Sequence, residues 1–213
     1  MEMIETLGKA GIIPVIVIEK EEQAVPLAKA LVKGGLSVLE VTFRTKAAAA
    51  AIAAIRREVP AAVVGAGTLL TSQMVKDAKV AGAVFGVAPG FDQVVMAAEK
   101  AEGLPMCPGI ATASELSQAF TAGCKMVKFF PAEAAGGVKM IKNLLGAFRF
   151  TGIKFMPTGG VNLSNVSDYL AVPEIVCCGG TWIVPKDALA SGNWAIIEKL
   201  ASDAAALVRK LRA

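Results

Sequence analysis

Histidine is absent from the 213 residues. That one absence removes Ser-His-Asp and Cys-His catalysis and any zinc site built on imidazole. Acid–base work is left to Asp, Glu, Lys, Tyr and Cys, and the chain has a single Tyr. Charge is sparse at 19 %, with 22 Lys and Arg against 18 Asp and Glu, a net of +4. No block of five or six like charges occurs, so no nucleic-acid partner is expected, while an anionic small ligand stays compatible. No stretch of 18 apolar residues exists, and Ala47–Ala51 is too short to span a bilayer, so no membrane partner is expected. The opening Met1-Glu2-Met3-Ile4-Glu5 is acidic and lacks the apolar run of a signal peptide. Cysteine is scarce: Cys107, Cys124, Cys177 and Cys178 form no Cys-x-x-Cys pair. They read as reduced, buried thiols of a cytosolic protein, with Cys177 and Cys178 on opposite faces of a strand.

What the chain has in plenty is apolar residues, at 54 %. Disorder shows the opposite balance. The length suits one domain, residues 1–213, within the usual range of an α/β barrel. Short β-branched or apolar runs alternate with Ala-rich helical stretches. Eight strands are expected at Ile12–Ile18, Ser37–Phe43, Ala62–Thr68, Ala83–Pro89, Pro105–Ile110, Lys125–Pro131, Lys154–Gly160 and Glu174–Gly180. Helices are expected at Glu21–Lys33, stopped by Gly34-Gly35, and at Thr45–Glu58, stopped before Pro60. Ser72–Ala81 opens on a capping Ser, Asp92–Glu102 ends at Gly103, and Thr112-Ala113-Ser114-Glu115 is a capping box leading to Ala122. Val138–Leu145, Ser164–Leu170 and Trp194–Leu211 complete the set. Eight strand–helix units fill the length and argue for an α/β fold, a single (β/α)8 TIM barrel with an extra N-terminal helix over Glu2–Lys9. A doubly wound open sheet is the alternative that alternation alone leaves open.

In a barrel of this kind the site lies at the C-terminal ends of the strands, so polar residues inside apolar strands are the ones to find there. In Val38-Leu39-Glu40-Val41-Thr42-Phe43-Arg44, alternation puts Glu40, Thr42 and Arg44 on one face and Leu39, Val41 and Phe43 on the other. A carboxylate and a guanidinium thus face the barrel mouth together; the alternative is a buried ion pair that only holds structure. In Met126-Val127-Lys128-Phe129-Phe130, Lys128 sits inside an apolar run and shares a face with Met126 and Phe130. Lysine is almost never buried without a reason. Burial disfavours the ammonium form and frees an amine to attack a carbonyl, unless the side chain snorkels out of the strand end. Thr158-Gly159-Gly160 and Gly179-Gly180-Thr181 close the last two strands, where loops of this fold often bind phosphate, and glycine lets backbone N–H groups approach an anion. Gly65-Ala66-Gly67-Thr68 closes the third strand and is no complete dinucleotide fingerprint; Thr68 could donate a hydrogen bond in the mouth or simply serve a turn. An amine, a carboxylate, an arginine and a phosphate cradle, with no metal and no cofactor, suit carbon–carbon bond chemistry through an imine.

At these residues the sequence resembles the 2-keto-3-deoxy-6-phosphogluconate (KDPG) aldolases, class I Schiff-base enzymes of the Entner–Doudoroff pathway. Val38–Thr45 (VLEVTFRT), Gly65–Thr68 (GAGT), Val127–Glu133 (VKFFPAE), Pro157–Val161 (PTGGV) and Gly179–Trp182 (GGTW) carry the resemblance, which runs from about Ile12 to the last helix. It implies that Lys128 is the Schiff-base lysine and Glu40 the acid/base carboxylate. Arg44 and Thr68 would hold the pyruvate carboxylate, with Thr158 beside that pocket. Gly159, Gly160, Gly180 and Thr181 would bind phosphate, and Pro89 and Phe130 would wall the site. It further implies a small phosphorylated keto-acid substrate, a homotrimer and a cytoplasmic setting. Thr181 stands where relatives often carry Ser, and Pro14-Val15-Ile16-Val17 has no charge where some relatives carry an arginine.

Other readings place the residues differently. Cleavage of 4-hydroxy-2-oxoglutarate to pyruvate and glyoxylate belongs to the same family and involves no phosphate. An isomerase or synthase of small phosphorylated metabolites would share the glycine loops without requiring Lys128. A non-catalytic barrel would make Glu40, Arg44 and Lys128 a structural cluster, although buried charge clusters give little net stability.

Overall fold

The computed structural model describes residues 2–212; Met1 and Ala213, the ends of the expected domain, lie outside them. The chain runs α1 (Glu2–Ala10), β1 (Ile12–Ile16), α2 (Ala24–Lys33), β2 (Val38–Thr42), α3 (Ala48–Glu58), β3 (Val63–Gly67), α4 (Ser72–Val80), β4 (Gly86–Val87) and α5 (Gln93–Glu102). It continues through β5 (Met106–Cys107), β6 (Gly109–Ile110), α6 (Ala113–Thr121), β7 (Met126–Phe129), α7 (Gly137–Phe148), β8 (Lys154–Pro157), α8 (Val166–Leu170), β9 (Cys178–Gly180), α9 (Lys186–Ser191) and α10 (Trp194–Arg212).

The helices start and stop where side-chain chemistry dictates. Thr112 accepts from Glu115 N–H while the Glu115 carboxylate accepts from Thr112 N–H, so the expected capping box of α6 is present. Asp92 caps α5 and accepts from the N–H groups of Val94 and Val95. The cap of α4 differs from expectation: Thr71, not Ser72, accepts from Met74 N–H, because Thr71 holds the extended backbone a cap needs while Ser72 is already helical. The first expected helix begins with a short 3-10 turn at Glu21–Gln23 before α2. The expected Thr45–Glu58 helix starts only at Ala48, since Phe43–Ala47 makes the turn out of β2. α9 has no counterpart among the expected elements; it is six residues long, too short for helical periodicity to show.

Every strand pairing is parallel. One sheet has the order β5-β4-β3-β2-β1-β9 and the other β6-β7-β8. The expected fifth strand is split into β5 and β6 by Pro108, which carries no N–H for a ladder. β5 pairs with β4 and β6 with β7, so the chain steps from one sheet to the other across that proline. Isolated bridges join Phe155 to Ile175 and Thr158 to Gly179.

Alternation along each strand sorts the core into two layers. Leu39, Val41, Val127, Phe129 and Cys178 join the larger cluster under the helices. Ile13, Val38, Phe85, Val87, Cys107, Met126, Met156 and Cys177 form a smaller cluster on the other face, together with Leu7 of α1. Cys177 and Cys178 thus do point to opposite faces, and all four thiols are free. Complete burial of Leu7 contributes about 1.5–3 kcal/mol. A nine-residue helix needs such an anchor, because isolated helices of this length are marginal in water. Ile13, Val38 and Met126 place this inner cluster at the starts of β1, β2 and β7. Two residues past Val38 and Met126, toward the C-terminal ends of β2 and β7, that face turns polar.

Candidate active site

β2 and β7 supply the two charges of that polar end. Val38 and Met126 lie in the inner cluster, so two residues further along Glu40 and Lys128 point to the same side. Glu40 is 0 % exposed and Lys128 is 2 % exposed. Lys128 Nζ lies 3.8 Å from Glu40 Oε1, an ion-pair separation too long for a hydrogen bond. The same Nζ sits 5.0 Å from the centroid of the Phe130 ring, within cation–π range. Neither carboxylate oxygen of Glu40 has a hydrogen-bond partner among the described residues. A buried carboxylate without donors is costly. The fold nevertheless makes room for it: a Cβ on Gly67 would stand 2.1 Å from Glu40 Oε1. Gly67 therefore belongs to the candidate site, and the sequence showed it only as part of GAGT. The signal that could have found it is a glycine inside an apolar strand, which marks a close approach.

Thr42 is fully buried and does not face the pair with a free hydroxyl, because its Oγ1 donates to the Ile16 carbonyl at 2.9 Å. This bond ties the ends of β1 and β2 together. Arg44 lies beyond the end of β2, in the turn, with an exposed side chain whose Nε donates to Thr68 Oγ1 at 3.2 Å. Thr68, half-buried just past β3, has φ +60°, the only positive φ outside glycine among the described residues. A β-branched residue in that region costs about 1–3 kcal/mol, and such strain clusters at functional positions.

Thr158 is 4 % exposed, follows β8, and has an Oγ1 with no partner among the described residues. Gly179 makes its space, since a Cβ there would come within 2.3 Å of that oxygen. Gly159 and Gly160 continue the turn at φ +98° and +81°. The N–H groups of Gly159, Gly160 and Val161, and that of Thr181 after β9, donate to no acceptor among the described residues. Four undirected donors on two adjacent loops are the arrangement an anion requires. Gly180 is buried under the Trp182 ring, where a Cβ would come within 1.9 Å of a ring carbon. Pro89 and Phe130 are half-buried, one after β4 and the other after β7.

The strand pairings thus carry Glu40, Lys128, Thr68 and Thr158 to the same end of a parallel array, with the glycine turns beside Thr158. An amine beside a partnerless carboxylate can form an imine with a ketone and move a proton next to it. A separate cavity of about 630 Å³ lies near α1 and the strand starts, lined in part by Leu7, Phe85, Met106 and Met126, and none of these site residues lines it.

Comparison with known proteins bears directly on this arrangement. A family model described as KDPG and KHG aldolase matches residues 3–200. The chain is 48 % identical over 203 residues to the KHG/KDPG aldolase of Escherichia coli (strain K12), covering 95 % of this chain and 93 % of that one. Among solved structures it is similar to the KDPG aldolase of Legionella pneumophila with pyruvate captured at low pH as a covalent carbinolamine intermediate. That likeness has a TM-score of 0.90 at 41 % identity and covers 94 % of this chain and 97 % of the other. The 2-keto-3-deoxy-6-phosphogluconate aldolase of Zymomonas mobilis ZM4 with 3-phosphoglycerate gives a TM-score of 0.88 at 40 % identity, covering 97 % and 96 %.

Proposed function

The chain belongs to the KDPG and KHG aldolase family, and on that premise we propose that it cleaves 2-dehydro-3-deoxy-6-phosphogluconate to pyruvate and glyceraldehyde 3-phosphate through an imine on Lys128. It is a carbon–carbon lyase. The observation that carries the assignment of roles is the buried Lys128 amine 3.8 Å from a Glu40 carboxylate that no donor among the described residues satisfies. Glu40 without donors has a use only when a substrate hydroxyl or a water reaches it.

The steps balance as follows. Lys128 Nζ attacks the C2 ketone to give a carbinolamine, which loses water to become the protonated imine. Glu40, through a water, removes the C4 hydroxyl proton. The C3–C4 bond breaks, the aldehyde leaves, and the bonding pair moves to the imine nitrogen as an enamine. Glu40 returns a proton to C3, and hydrolysis of the imine releases pyruvate and restores the amine. Arg44 and Thr68 hold the pyruvate carboxylate, with Thr158 beside them. Pro89 and Phe130 wall the site. Gly159, Gly160, Gly180 and Thr181 take the phosphate; their loops hold the N–H groups of Gly159, Gly160 and Thr181 without an internal acceptor, which supports this reading. The Legionella relative with its carbinolamine and the Zymomonas relative with 3-phosphoglycerate support the two ends of the substrate in turn.

4-Hydroxy-2-oxoglutarate is a second substrate for the same site. The imine half is shared and no phosphate is involved, in keeping with the double name of the Escherichia coli relative. The finer architecture we infer is one domain, a closed (β/α)8 barrel whose N-terminal end is covered by α1. The bridge from Thr158 to Gly179 and the step across Pro108 support it. A homotrimer fits the exposed Val94 and Phe120 on α5 and α6, and a cytoplasmic setting fits the free thiols. Substituting Lys128→Ala tests the assignment: cleavage of the phosphorylated substrate is expected to fall below detection, and activity near that of the native chain would overturn it.

A further inference from the structure

Glu133, on the loop between β7 and α7, makes contacts that the chemistry above does not use. Its N–H donates to the Gly159 carbonyl at 3.0 Å, next to a bond of 2.8 Å from Ala132 N–H to the Thr158 carbonyl. Its side chain packs against the glycine turn, where a Cβ on Gly160 would stand 2.6 Å from Glu133 Cβ and Cγ. Its carboxylate then accepts from the hydroxyl of Tyr169 on α8. Tyr169 is 1 % exposed and is the only tyrosine in the chain. Burial, and then the neighbouring Glu133 carboxylate, hold that hydroxyl protonated far into alkali, so it is a permanent donor. From the other side, the side-chain amides of Asn162 and Asn165 both donate to the Gly160 carbonyl, at 3.0 and 3.1 Å. Gly160 is thereby held at its carbonyl and along its Cα, and Gly159 at its carbonyl. What stays without an acceptor among the described residues is the set of N–H groups at 159, 160 and 161. The same loop begins at Phe130, two residues after Lys128.

We propose that the Tyr169–Glu133 contact is a positioning clamp that fixes the Gly159-Gly160 turn against the Lys128 strand and so sets affinity for the phosphorylated end of the substrate. The proposal rests on the reading of that turn as a phosphate cradle. Neither residue touches substrate. The clamp acts through the backbone it holds, so its removal loosens the phosphate end and leaves the imine end intact.

The test is steady-state cleavage of 2-dehydro-3-deoxy-6-phosphogluconate and of 4-hydroxy-2-oxoglutarate by the native chain, Tyr169→Phe, Glu133→Ala and Glu133→Gln, with inorganic phosphate as inhibitor. In Tyr169→Phe and Glu133→Ala the KM for the phosphorylated substrate is expected to rise about tenfold, the ratio for losing a hydrogen bond to a charged group, with kcat held within about twofold. Inhibition by phosphate weakens in step, and the unphosphorylated substrate is unaffected. Glu133→Gln keeps an acceptor for Tyr169 and retains most of the native KM, which a general loss of stability would not allow. Should Tyr169→Phe fail to fold, the two Glu133 variants read the same contact. An equal fall on both substrates, or no change on either, overturns the clamp. A native chain that shows neither phosphate inhibition nor preference for the phosphorylated substrate overturns the cradle itself, and is recognised before any variant is compared.

Discussion

Replacing Gly67 by alanine adds one methyl group, and the structure says where it lands. The new Cβ would sit 2.1 Å from Glu40 Oε1 and 2.8 Å from both Cδ and Cγ. Cβ atoms do not come closer than 3.0 Å to other heavy atoms, so the oxygen must retreat by at least 0.9 Å. Gly67 is paired with Thr42 inside the sheet, so the backbone has little freedom to absorb the clash, and the Glu40 side chain must move. A displacement of about 1 Å in a catalytic group can cost on the order of 100-fold in rate. Overpacking costs about 1–3 kcal/mol, which for a domain of this size lowers Tm by roughly 2–12 °C. Lys128 is not in the path of the methyl group. Gly67→Ala is therefore expected to keep forming the imine with pyruvate, while cleavage and the exchange of pyruvate methyl protons with solvent both fall about 100-fold. The assays are borohydride trapping by mass, proton exchange by NMR, and a thermal melt. A folded variant with native exchange and native turnover would refute the placement of Glu40 as the proton carrier.

The other predictions follow from the same geometry. Glu40→Gln keeps the shape and removes the base, so trapping with pyruvate persists while proton exchange drops by about 10²–10⁴; an unchanged exchange rate would take Glu40 out of that role. Thr158→Val replaces a buried hydroxyl that has no partner among the described residues, so Tm should hold or rise while KM for the keto acid increases, and a large loss of Tm with native KM would contradict the assignment. Burial raises the thiols of Cys107, Cys177 and Cys178, and that of Cys124 to about 11, from an ordinary value of 9.0. In alkali the unfolded chain then loses these protons before the folded chain does, so stability falls as pH rises through 9. Melting from pH 8 to pH 10 should show a declining Tm, reduced when the three buried cysteines are replaced by alanine, and a flat profile would argue against their burial.

Strand positions were legible because each expected run had a period or composition that burial on both faces enforces. Val38–Thr42 and Met126–Phe129 show why the candidate site was legible too: a carboxylate and an amine inside apolar strands have few structural explanations. Four features were not legible. The split of the fifth strand depends on the one missing N–H of Pro108, which weighs little against its apolar neighbours. The cap at Thr71 rather than Ser72 turns on a single backbone angle, and both residues are good caps. The roles of Gly67 and Gly179 depend on which side chain crosses above each glycine, and that is set by register between strands distant in sequence, Gly67 against β2 and Gly179 against Thr158. The Glu133–Tyr169 contact spans 36 residues and leaves no local pattern.

Every step proposed for this chain depends on an imine at Lys128. Intact and peptide mass after mixing the folded chain with pyruvate and borohydride tests it most directly. One reduced pyruvate adduct per chain is expected, mapped to Lys128. No adduct with pyruvate in excess, or an adduct on another lysine, would contradict it.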